Sequence, residues 1–469
     1  MKKQLVDKVR QLLPAGVVRG LEEVYRRGRA KLVSARYGYP ARGLKVIAVT
    51  GTNGKTTTAS YINEVLKQGG ARTAMFSTAL IEVAGKVVAN DMNVTVASTE
   101  RMQQFFRDAK KAKVGCVILE VTSHSLVQHK LAGVPIEIAV MTNLSQDHLD
   151  YHKTMEEYAA AKGRLFARRP KFIVLNRDDE WFEYFDKFSA GYQKITYGTH
   201  PEAEARIDYV KLYKKGSEAR IVIDHQTQLE MATALPGKFN VYNMTAAAAV
   251  AYVLGVKLDD IVEGAANLEA VPGRFERVDE GQPYEVIVDY AHTPDALEKL
   301  LEAIRQTTKN RVLLVFGACG DRDKGKRPLM GEIAVHGADR IFLTDEESYT
   351  EDPAAIREQI RQGIAAAHGE AKTTELEDRR EAIKKALSIA TKGDTVVITG
   401  LGHEQYRIVG GERLPWNDSQ VARELLAEKK MTSMINQPAV KSKDETDVEP
   451  AESAESTEPT VDEDQEAKA

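Results

Sequence analysis

The stretch Thr50-Gly-Thr-Asn-Gly-Lys-Thr-Thr57 combines glycines, a lysine and hydroxyl side chains in a pattern that suits phosphate binding. It follows an apolar run at residues 46–49 and leads into residues 56–68, which have helical spacing. Such a turn points backbone N–H groups and the positive end of a helix at one anion. Lys55 adds a charge, and the Thr56 hydroxyl can hold Mg²⁺. The sequence therefore predicts a loop for nucleotide phosphates.

A carboxylate and two histidines follow other predicted strands. Glu120 ends the apolar run at residues 116–121. If the strands are neighbours it lies beside the phosphate loop, where it could be an oxygen ligand of Mg²⁺ or form a buried ion pair. The stretch Thr142-Asn-Leu-Ser-Gln-Asp-His-Leu-Asp-Tyr-His152 holds two Asp and two His, but their spacing does not support zinc, and loop hydrogen bonding is their more usual role. Lys162 lies in an otherwise apolar helix, where a solvated lysine is the ordinary interpretation.

Three loops that follow strands in the second half of the chain carry polar and charged residues. Val288-Asp-Tyr-Ala-His-Thr-Pro-Asp-Ala-Leu297 places Asp289 and His292 at the carboxyl end of a strand. Two further loops that follow strands are Phe316-Gly-Ala-Cys-Gly-Asp-Arg-Asp-Lys-Gly-Lys-Arg-Pro328 and Thr399-Gly-Leu-Gly-His-Glu404. Their cations and carboxylates suit an amino-acid zwitterion, which needs a cation for its carboxylate and an anion for its amine.

Two α/β units must position these loops. Strands alternate with helices over residues 44–273 and again over residues 274–431, as parallel sheets require. We predict an α/β fold with a central P-loop-type ATPase domain followed by a Rossmann-like C-terminal domain, each with its site at the carboxyl ends of its strands. Residues 205–231 alternate as an antiparallel ribbon would, and Asn243 is predicted to open the next helix. The other predicted strands are 45–49, 136–141, 172–175, 285–289, 312–316, 340–344 and 395–399, and the predicted helices are 56–68, 99–112, 155–168, 244–254, 294–306, 354–367 and 379–390.

The composition is that of an enzyme-sized globular chain. The 469 residues are 43% hydrophobic, which is enough for several buried cores. Cys116 and Cys319 suggest neither a disulfide nor a thiolate metal site, and no apolar run is long enough to span a membrane, so we expect a cytoplasmic protein. Residues 441–469 hold eleven acidic and three basic residues, which predicts a disordered tail over residues 432–469 and leaves the rest mildly basic. That charge suits anionic small molecules, and the dense basic stripe of a nucleic-acid binder is missing.

Residues 1–43 form a short basic segment with apolar residues at partly helical spacing. We predict one or two helices that pack on the next domain. Contact with a membrane surface is the less favoured alternative.

The order and number of these motifs resemble the ATP-dependent Mur ligases, and most closely the MurE branch, the UDP-N-acetylmuramoyl-tripeptide synthetases. The similarity runs from about Leu44 to Leu426 and includes Ala161-Lys162 and Pro236-Gly-Lys-Phe-Asn-Val-Tyr-Asn243 as well as the loops above. The resemblance implies a monomeric, cytoplasmic acid–amino acid ligase of peptidoglycan precursor synthesis, and hence of cell-wall biogenesis, cell shape and division. Its chemistry would transfer the γ-phosphoryl group of ATP to a carboxylate, and an amino acid would then attack the acyl phosphate.

The resemblance also implies roles for individual residues. The ATP phosphates would be bound by Gly51, Thr52, Asn53, Gly54, Lys55, Thr56 and Thr57, and the adenine, ribose and phosphates by Asn243, Arg274 and Asp289. One Mg²⁺ would be shared by Thr56 and Glu120, and a second would be served by His148 and by Lys162 as a carbamate formed with CO₂. Arg322 and Glu404 would hold the incoming amino acid. The residues that would contact the substrates are Thr95, Thr122, Ser123, His292, Arg322, Glu347, Tyr349 and Glu404.

Two departures from the family pattern affect the substrates. Full-length members carry a separate N-terminal domain for the UDP group, which 43 residues cannot form, so the nucleotide sugar is bound differently, a partner supplies the site, or the acceptor is another carboxylate. In addition, the meso-diaminopimelate enzymes have Asp-Asn-Pro-Arg where this chain has Glu346-Glu-Ser-Tyr349. A tyrosine cannot give the bidentate clamp of arginine, and the acids favour a side-chain ammonium, so we expect a lysine-like diamino acid rather than meso-diaminopimelate.

Two rival functions remain. Folylpolyglutamate synthase shares the core and also lacks the UDP domain, although Asp289-Tyr-Ala-His-Thr-Pro-Asp295 and Gly402-His-Glu404 favour the MurE branch. An ATP-binding scaffold without ligase activity is the alternative from another class. The intact Lys55, Glu120, His148 and Lys162 argue against it.

Overall fold

The computed structural model describes residues 15–90 and 98–435. A first helix, α1 (Ala15–Arg36), precedes a central lobe built on one large sheet. The elements of this lobe are β1 (Lys45–Thr50), α2 (Lys55–Gln68), β2 (Thr73–Phe76), β3 (Leu80–Val83), β4 (Lys86–Ala89), α3 (Thr99–Lys111), β5 (Cys116–Glu120), α4 (Ser123–Val127), β6 (Ile138–Met141), α5 (Leu149–His152), α6 (Met155–Phe166), β7 (Phe172–Asn176), α7 (Phe182–Asp186), β8 (Gln193–Gly198), β9 (Ala205–Tyr213), β10 (Gly216–Ile223), β11 (Thr227–Thr233), α8 (Lys238–Val253) and α9 (Leu258–Ala266).

The C-terminal lobe is built on a second sheet. Its elements are β12 (Glu276–Arg277), β13 (Glu285–Asp289), α10 (Pro294–Thr307), β14 (Val312–Phe316), α11 (Lys326–Gly337), β15 (Arg340–Leu343), α12 (Pro353–Ala366), a 3₁₀ turn (Glu370–Lys372), β16 (Thr373–Glu375), α13 (Arg379–Ile389), β17 (Thr395–Thr399), β18 (Tyr406–Val409), β19 (Glu412–Pro415) and α14 (Asp418–Ile435).

The central sheet has the strand order β11-β10-β9-β8-β7-β6-β1-β5-β2-β3-β4. Its strands are parallel from β9 to β2, and antiparallel strands are added at both edges. Because side chains alternate along a strand, Ile47 and Val49 pack on the α2, α8 and α9 side, whereas Val46 and Ala48 pack on the α3 and α6 side. Burial on both faces explains why β1 is a continuous apolar run.

The C-terminal sheet has the order β12-β13-β17-β14-β15-β16 and is parallel apart from β12. Leu300, Met330 and Ile360 cover one face from α10, α11 and α12. Ile383 and Leu425 cover the other from α13 and α14. Both lobes therefore present the carboxyl ends of buried parallel strands, where loops can form a site.

The predicted α/β fold is confirmed, and so is the antiparallel ribbon, which is β9 to β11. The prediction that Asn243 opens a helix is wrong, because α8 begins at Lys238. The residue before it, Gly237, has a φ of 99°, which is not helical, so the helix starts directly after it. Thr95 and most of the predicted tail lie outside the described residues. Within the described ranges, none of the helices is both long and apolar enough to cross a bilayer.

The two lobes are joined by a tight crossing of backbone. Gly273 has a φ of 63°, and a Cβ at this position would lie 2.1 Å from the backbone nitrogen of His403. Only glycine suits both this backbone conformation and this contact. The start of the C-terminal lobe is therefore packed directly on the loop that carries Glu404.

Candidate active site

The phosphate loop connects β1 to α2 and is held by the loop after β6. Asn53 N donates to Asn143 Oδ1 (2.9 Å), and Thr142 Oγ1 donates to Asn53 O (2.6 Å). A Cβ on Gly51 would lie 1.8 Å from Thr142 Oγ1, so the loop can follow this path only with glycine there. Gly54, with a φ of 79°, turns the chain into α2. The predicted loop therefore has a fixed shape.

Glu120 lies beside this loop because β5 is the neighbour of β1, with Glu120 opposite Val49. The carboxylate is buried. Its Oε2 accepts from Thr56 Oγ1 (2.9 Å) and Thr78 N (2.8 Å), and its Oε1 accepts from Thr78 Oγ1 (2.8 Å). A hydroxyl and a carboxylate that hard cations prefer thus stand together at the start of α2.

Two lysines point toward the phosphate loop from different elements. Lys55 Nζ donates to Thr52 O (2.5 Å), and Lys162 Nζ, from α6, donates to Gly51 O (2.6 Å). The Lys162 amine is buried and lies 4.4 Å from the centre of the Tyr158 ring. Burial lowers the pKa of both amines, and that of Lys162 falls well below its usual value. Lys162 is therefore not the solvated lysine that its helix alone would suggest.

The loop after β6 also contains a buried pair that the sequence analysis did not assign. Asp147 Oδ1 lies 3.2 Å from Lys326 Nζ, at the start of α11 in the C-terminal lobe, and both side chains are buried. Burial opposes ionisation of Asp147, but Lys326 together with the neighbouring His148 and His292 outweighs it and holds the pKa of the carboxyl below its usual value. Burial lowers the pKa of the neighbouring His148 to about 3, which leaves a neutral imidazole. Asp147 and Lys326 lie in two of the stretches described from the sequence, but only the fold shows that they are in contact.

Arg274, Asp289 and Asn243 surround the same loop. Arg274 NH2 donates to Thr56 Oγ1 (3.3 Å), and its guanidinium lies 4.3 Å from the centre of the Tyr290 ring. Asn243 Oδ1 accepts from Thr58 Oγ1 (3.1 Å). Asp289 accepts from two backbone N–H groups of its own lobe, and so it fixes the adjoining loops.

Asn53 links the phosphate loop to the other lobe. Its Nδ2 donates to Asp295 Oδ2 (2.8 Å), and its Oδ1 accepts from Thr293 Oγ1 (3.3 Å) at the start of α10. The phosphate loop therefore contacts the C-terminal lobe directly, through the Asn53 side chain.

Arg322, Tyr349 and Glu347 form a chain of contacts at the C-terminal side. Arg322 NH2 donates to Tyr349 Oη (3.4 Å), with the guanidinium 4.8 Å from the ring centre, and Tyr349 Oη donates to Glu347 Oε2 (3.1 Å). Ile408 N also donates to Glu347 Oε1 (3.2 Å). A cation and a carboxylate thus stand on either side of one tyrosine.

Two other acids lie near this chain. Glu404 is buried and accepts from Tyr290 Oη (3.4 Å). Burial, reinforced by Glu347, raises the pKa of Glu404 to about 8. Burial also raises the pKa of Glu346 to about 7, and its Oε2 has no hydrogen-bond partner among the described residues. Burial disfavours the ionised forms of both acids, and a substrate ammonium beside them would favour those forms.

One cavity of about 1420 Å³ connects both groups of residues. The predicted residues in its wall are Thr52, Asn53, Gly54, Lys55, Thr56, Thr57, Glu120, Thr122, His148, Asn243, Arg274, Asp289, His292, Arg322, Glu347, Tyr349 and Glu404. Gly51, Ser123 and Lys162 lie behind the wall, with Ser123 Oγ hydrogen-bonded to His152 (2.8 Å). The structure thus brings together all the predicted site residues that it describes.

Two family profiles match the chain. The profile described as Mur ligase middle domain matches residues 49–251, and the one described as Mur ligase, glutamate ligase domain matches residues 273–402. Curated relatives from Geobacillus kaustophilus and Geobacillus thermodenitrificans are 42% and 41% identical over 414 and 413 residues, and each match covers 86% of this chain and 83% of the relative. Both are named UDP-N-acetylmuramoyl-L-alanyl-D-glutamate–2,6-diaminopimelate ligase.

Solved structures give a consistent picture. A structure of a ligase with that same name is 36% identical and has a TM-score of 0.58, covering 83% of this chain and 79% of that one. A Mycobacterium tuberculosis folylpolyglutamate synthase is 19% identical with a TM-score of 0.65, covering 80% and 92%. At that identity the second likeness shows the shared fold alone.

Proposed function

Since this chain belongs to the Mur ligase family and is an ATP-dependent acid–amino acid ligase, we propose that it joins a diamino acid to UDP-N-acetylmuramoyl-L-alanyl-D-glutamate. The observation that carries the proposal is the single cavity that holds the phosphate loop at one end and Arg322, Glu347 and Glu404 at the other. The relatives' names support the acceptor. We place the boundary between the two catalytic domains at residues 273 and 274, where Gly273 packs on the Glu404 loop.

The proposed reaction follows from the charges in the cavity. A carboxylate is a poor acyl donor, so the γ-phosphoryl group of ATP is transferred to it, giving an acyl phosphate and ADP. Lys55 and the N–H groups of the phosphate loop bind the phosphates, and Arg274 adds a cation from the other lobe. The neutral amine of the amino acid then attacks the acyl carbon. Phosphate leaves, and an amide remains.

The residues at the phosphate loop suit Mg²⁺ bound together with substrate phosphates, rather than a metal ion held by protein ligands alone. Within the described ranges, no three or more His, Cys, Asp or Glu side chains converge as a metal site. Mg²⁺ needs only one or two protein oxygens when substrate phosphates and water complete its shell. We propose that Thr56 and Glu120 hold one ion and that His148 and a carbamate on Lys162 serve a second. Bound there, the ions would screen the negative charge of the phosphates.

The surroundings of Lys162 suit the proposed carbamate. An amine reacts with CO₂ only in its neutral form, and burial together with the charge of Lys55 lowers the pKa of this amine, which favours that form. A carbamate at this position would place an anion near Lys55, where it could pair with the charge of that lysine.

For the amino acid, we propose that Arg322 binds the α-carboxylate and that Glu347 and Glu404 face the side-chain ammonium. Tyr349 occupies the position where a diaminopimelate ligase would need an arginine, which favours a lysine-like substrate. The second candidate is meso-diaminopimelate, which the names of relatives more than 40% identical favour.

The test is ATP-dependent phosphate release by the full chain with lysine, ornithine or meso-diaminopimelate, with and without UDP-N-acetylmuramoyl-L-alanyl-D-glutamate. The product is identified by mass. We expect release that needs both substrates and is fastest with lysine or ornithine. Preference for meso-diaminopimelate would overturn the lysine assignment alone. Release with a folate and glutamate, but not with the UDP acceptor, would overturn the proposed acceptor.

A further inference from the structure

Helix α1 carries an apolar stripe on its outer side. Five large apolar residues are between 49% and 73% exposed, namely Val17, Leu21, Val24, Tyr25 and Leu32. At about 100° per residue they fall within one arc of roughly 100° on the helix surface. A contiguous exposed stripe of this kind marks an interaction surface more often than isolated apolar residues do.

The opposite side of α1 is attached to the central lobe by polar contacts. Ser34 Oγ donates to Ala132 O (2.7 Å), and Ala30 is buried one turn earlier. Arg29 pairs with Glu100 (3.1 Å), and Arg164 pairs with Glu23 (3.0 Å). The helix contacts the central lobe, as predicted from the sequence, but it does so through small and polar residues. Its large apolar residues face away from that lobe.

Basic residues lie along both borders of the stripe. By helical position, Arg27 and Lys31 border one side of the stripe, and Arg36 and Arg29 border the other. All four are exposed, and Arg29 lies at the edge between the stripe and the attached side, where it also pairs with Glu100. The first 36 residues contain ten basic and three acidic residues. An apolar stripe with basic borders is the pattern of a helix that lies in the surface of an anionic membrane.

We propose that α1 binds an anionic lipid surface, with the apolar stripe between the lipid chains and the basic borders at the headgroups. A second copy of the chain is a poorer occupant, because two such helices would bring their basic borders together. The attachment of α1 to the central lobe would then hold the enzyme at the membrane without a spanning segment. This inference rests on α1 alone and does not depend on the proposed substrates.

The test is co-sedimentation of the full chain with vesicles of phosphatidylcholine alone or with 30% phosphatidylglycerol. We expect binding to the anionic vesicles that weakens as salt rises. The variant Leu21→Glu/Val24→Glu should lose at least about 10-fold in vesicle affinity, since it places two carboxylates in the stripe. Arg27→Gln/Lys31→Gln should weaken binding less and reduce its salt dependence.

The matched control is Tyr192→Glu/Leu414→Glu, which adds the same charge at exposed apolar positions on other elements and should bind as the wild type does. The midpoint of thermal unfolding of the stripe variant should equal that of the wild type, because the replaced side chains are exposed. A lower midpoint would mean that the stripe is covered within the chain, for example by residues 1–14, and would overturn the proposal. So would a wild-type dimer in sedimentation velocity that the stripe variant dissociates, or equal binding of the stripe variant and the control.

Discussion

The two ends of the cavity, the phosphate loop on one side and Arg322, Glu347 and Glu404 on the other, differ in how their charged side chains are stabilised. At the phosphate end, the polar side chains already have partners: Glu120 accepts three hydrogen bonds, and Lys55 and Lys162 each donate to a backbone carbonyl. At the other end, Glu404 is a buried acid whose pKa is raised by burial to about 8. The side chains of the first end are therefore already hydrogen-bonded, whereas at the second end burial disfavours the ionised form of Glu404, which the ammonium of a ligand could stabilise.

This difference predicts separate roles for the two ends of the cavity in catalysis and in substrate selection. A prearranged set of donors costs no reorganisation when charge develops on a phosphoryl group, so it favours rate. A buried carboxylate is stabilised by a ligand that carries an ammonium, so under the proposed function the second end would select the amino acid. Changes at the phosphate end should therefore lower kcat, and changes at the amino-acid end should mainly alter KM, specificity and pH dependence.

The largest effect is expected for Lys162→Ala. It removes the buried amine behind the phosphate loop, and we expect kcat for phosphate release to fall by about 100-fold or more, as for other groups that act on transition-state charge. Lys162→Glu, which would supply an anionic oxygen in place of the proposed carbamate, should recover part of the rate. The exposed Lys215→Ala is the control. Unchanged release by Lys162→Ala would support the scaffold alternative and remove the basis of the comparison.

Arg322→Ala should act on the amino acid and leave the nucleotide unaffected. Loss of a charge-assisted contact of about 1.5–3 kcal/mol would raise KM for the amino acid about 10- to 100-fold. KM for ATP should stay the same. Initial rates with each substrate varied in turn measure both constants, and Arg305→Ala, which breaks an exposed pair with Asp339, serves as control. Equal increases in both KM values would show that the two ends are not separate.

Tyr349→Arg tests selection within the amino-acid end. An arginine here can clamp a second carboxylate, so the kcat/KM ratio of meso-diaminopimelate to lysine should rise about 10-fold, or about 1.4 kcal/mol. Competition between the two amino acids in one reaction gives the ratio directly. The variant Tyr349→Phe, which keeps the ring but cannot bind a carboxylate, should not raise it. A ratio that stays fixed in Tyr349→Arg would place the specificity elsewhere.

The last prediction concerns stability and its pH dependence, without any effect on turnover. With its pKa raised to about 8, Glu404 keeps a proton in the folded protein that an unfolded chain releases near pH 4.3. The free energy of unfolding should therefore fall as pH rises from about 4.3 to 8, by about 1–3 kcal/mol, and level off above. Glu404→Gln should flatten this decline in thermal unfolding without ligands. The exposed Glu332→Gln should follow the wild type, and a decline of equal slope in Glu404→Gln would contradict the assignment.

Features formed by one continuous stretch of sequence could be predicted, whereas contacts between distant stretches could not. The phosphate loop is one continuous stretch after one strand, so residue types and spacing were enough to predict its fold. The strands β2 to β4 were missed because they are only four residues long and β4 is exposed throughout. The contact between Asp147 and Lys326 joins residues 179 positions apart on two lobes, and no local pattern encodes it. The burial of Glu346, like that of Lys162, depends on which loops close over it.

The crossing at Gly273 bears on how the enzyme opens. Because this residue packs against the His403 backbone with no room for a side chain, we expect the linker and the Glu404 loop to move together. We expect any hinge to lie upstream of Gly273, so that Arg274 and Glu404 travel as one rigid piece. One rotation of the C-terminal lobe would then move the Arg274 guanidinium away from Thr56 and Glu404 away from the bound amino acid. ADP and the peptide product would be released by the same movement.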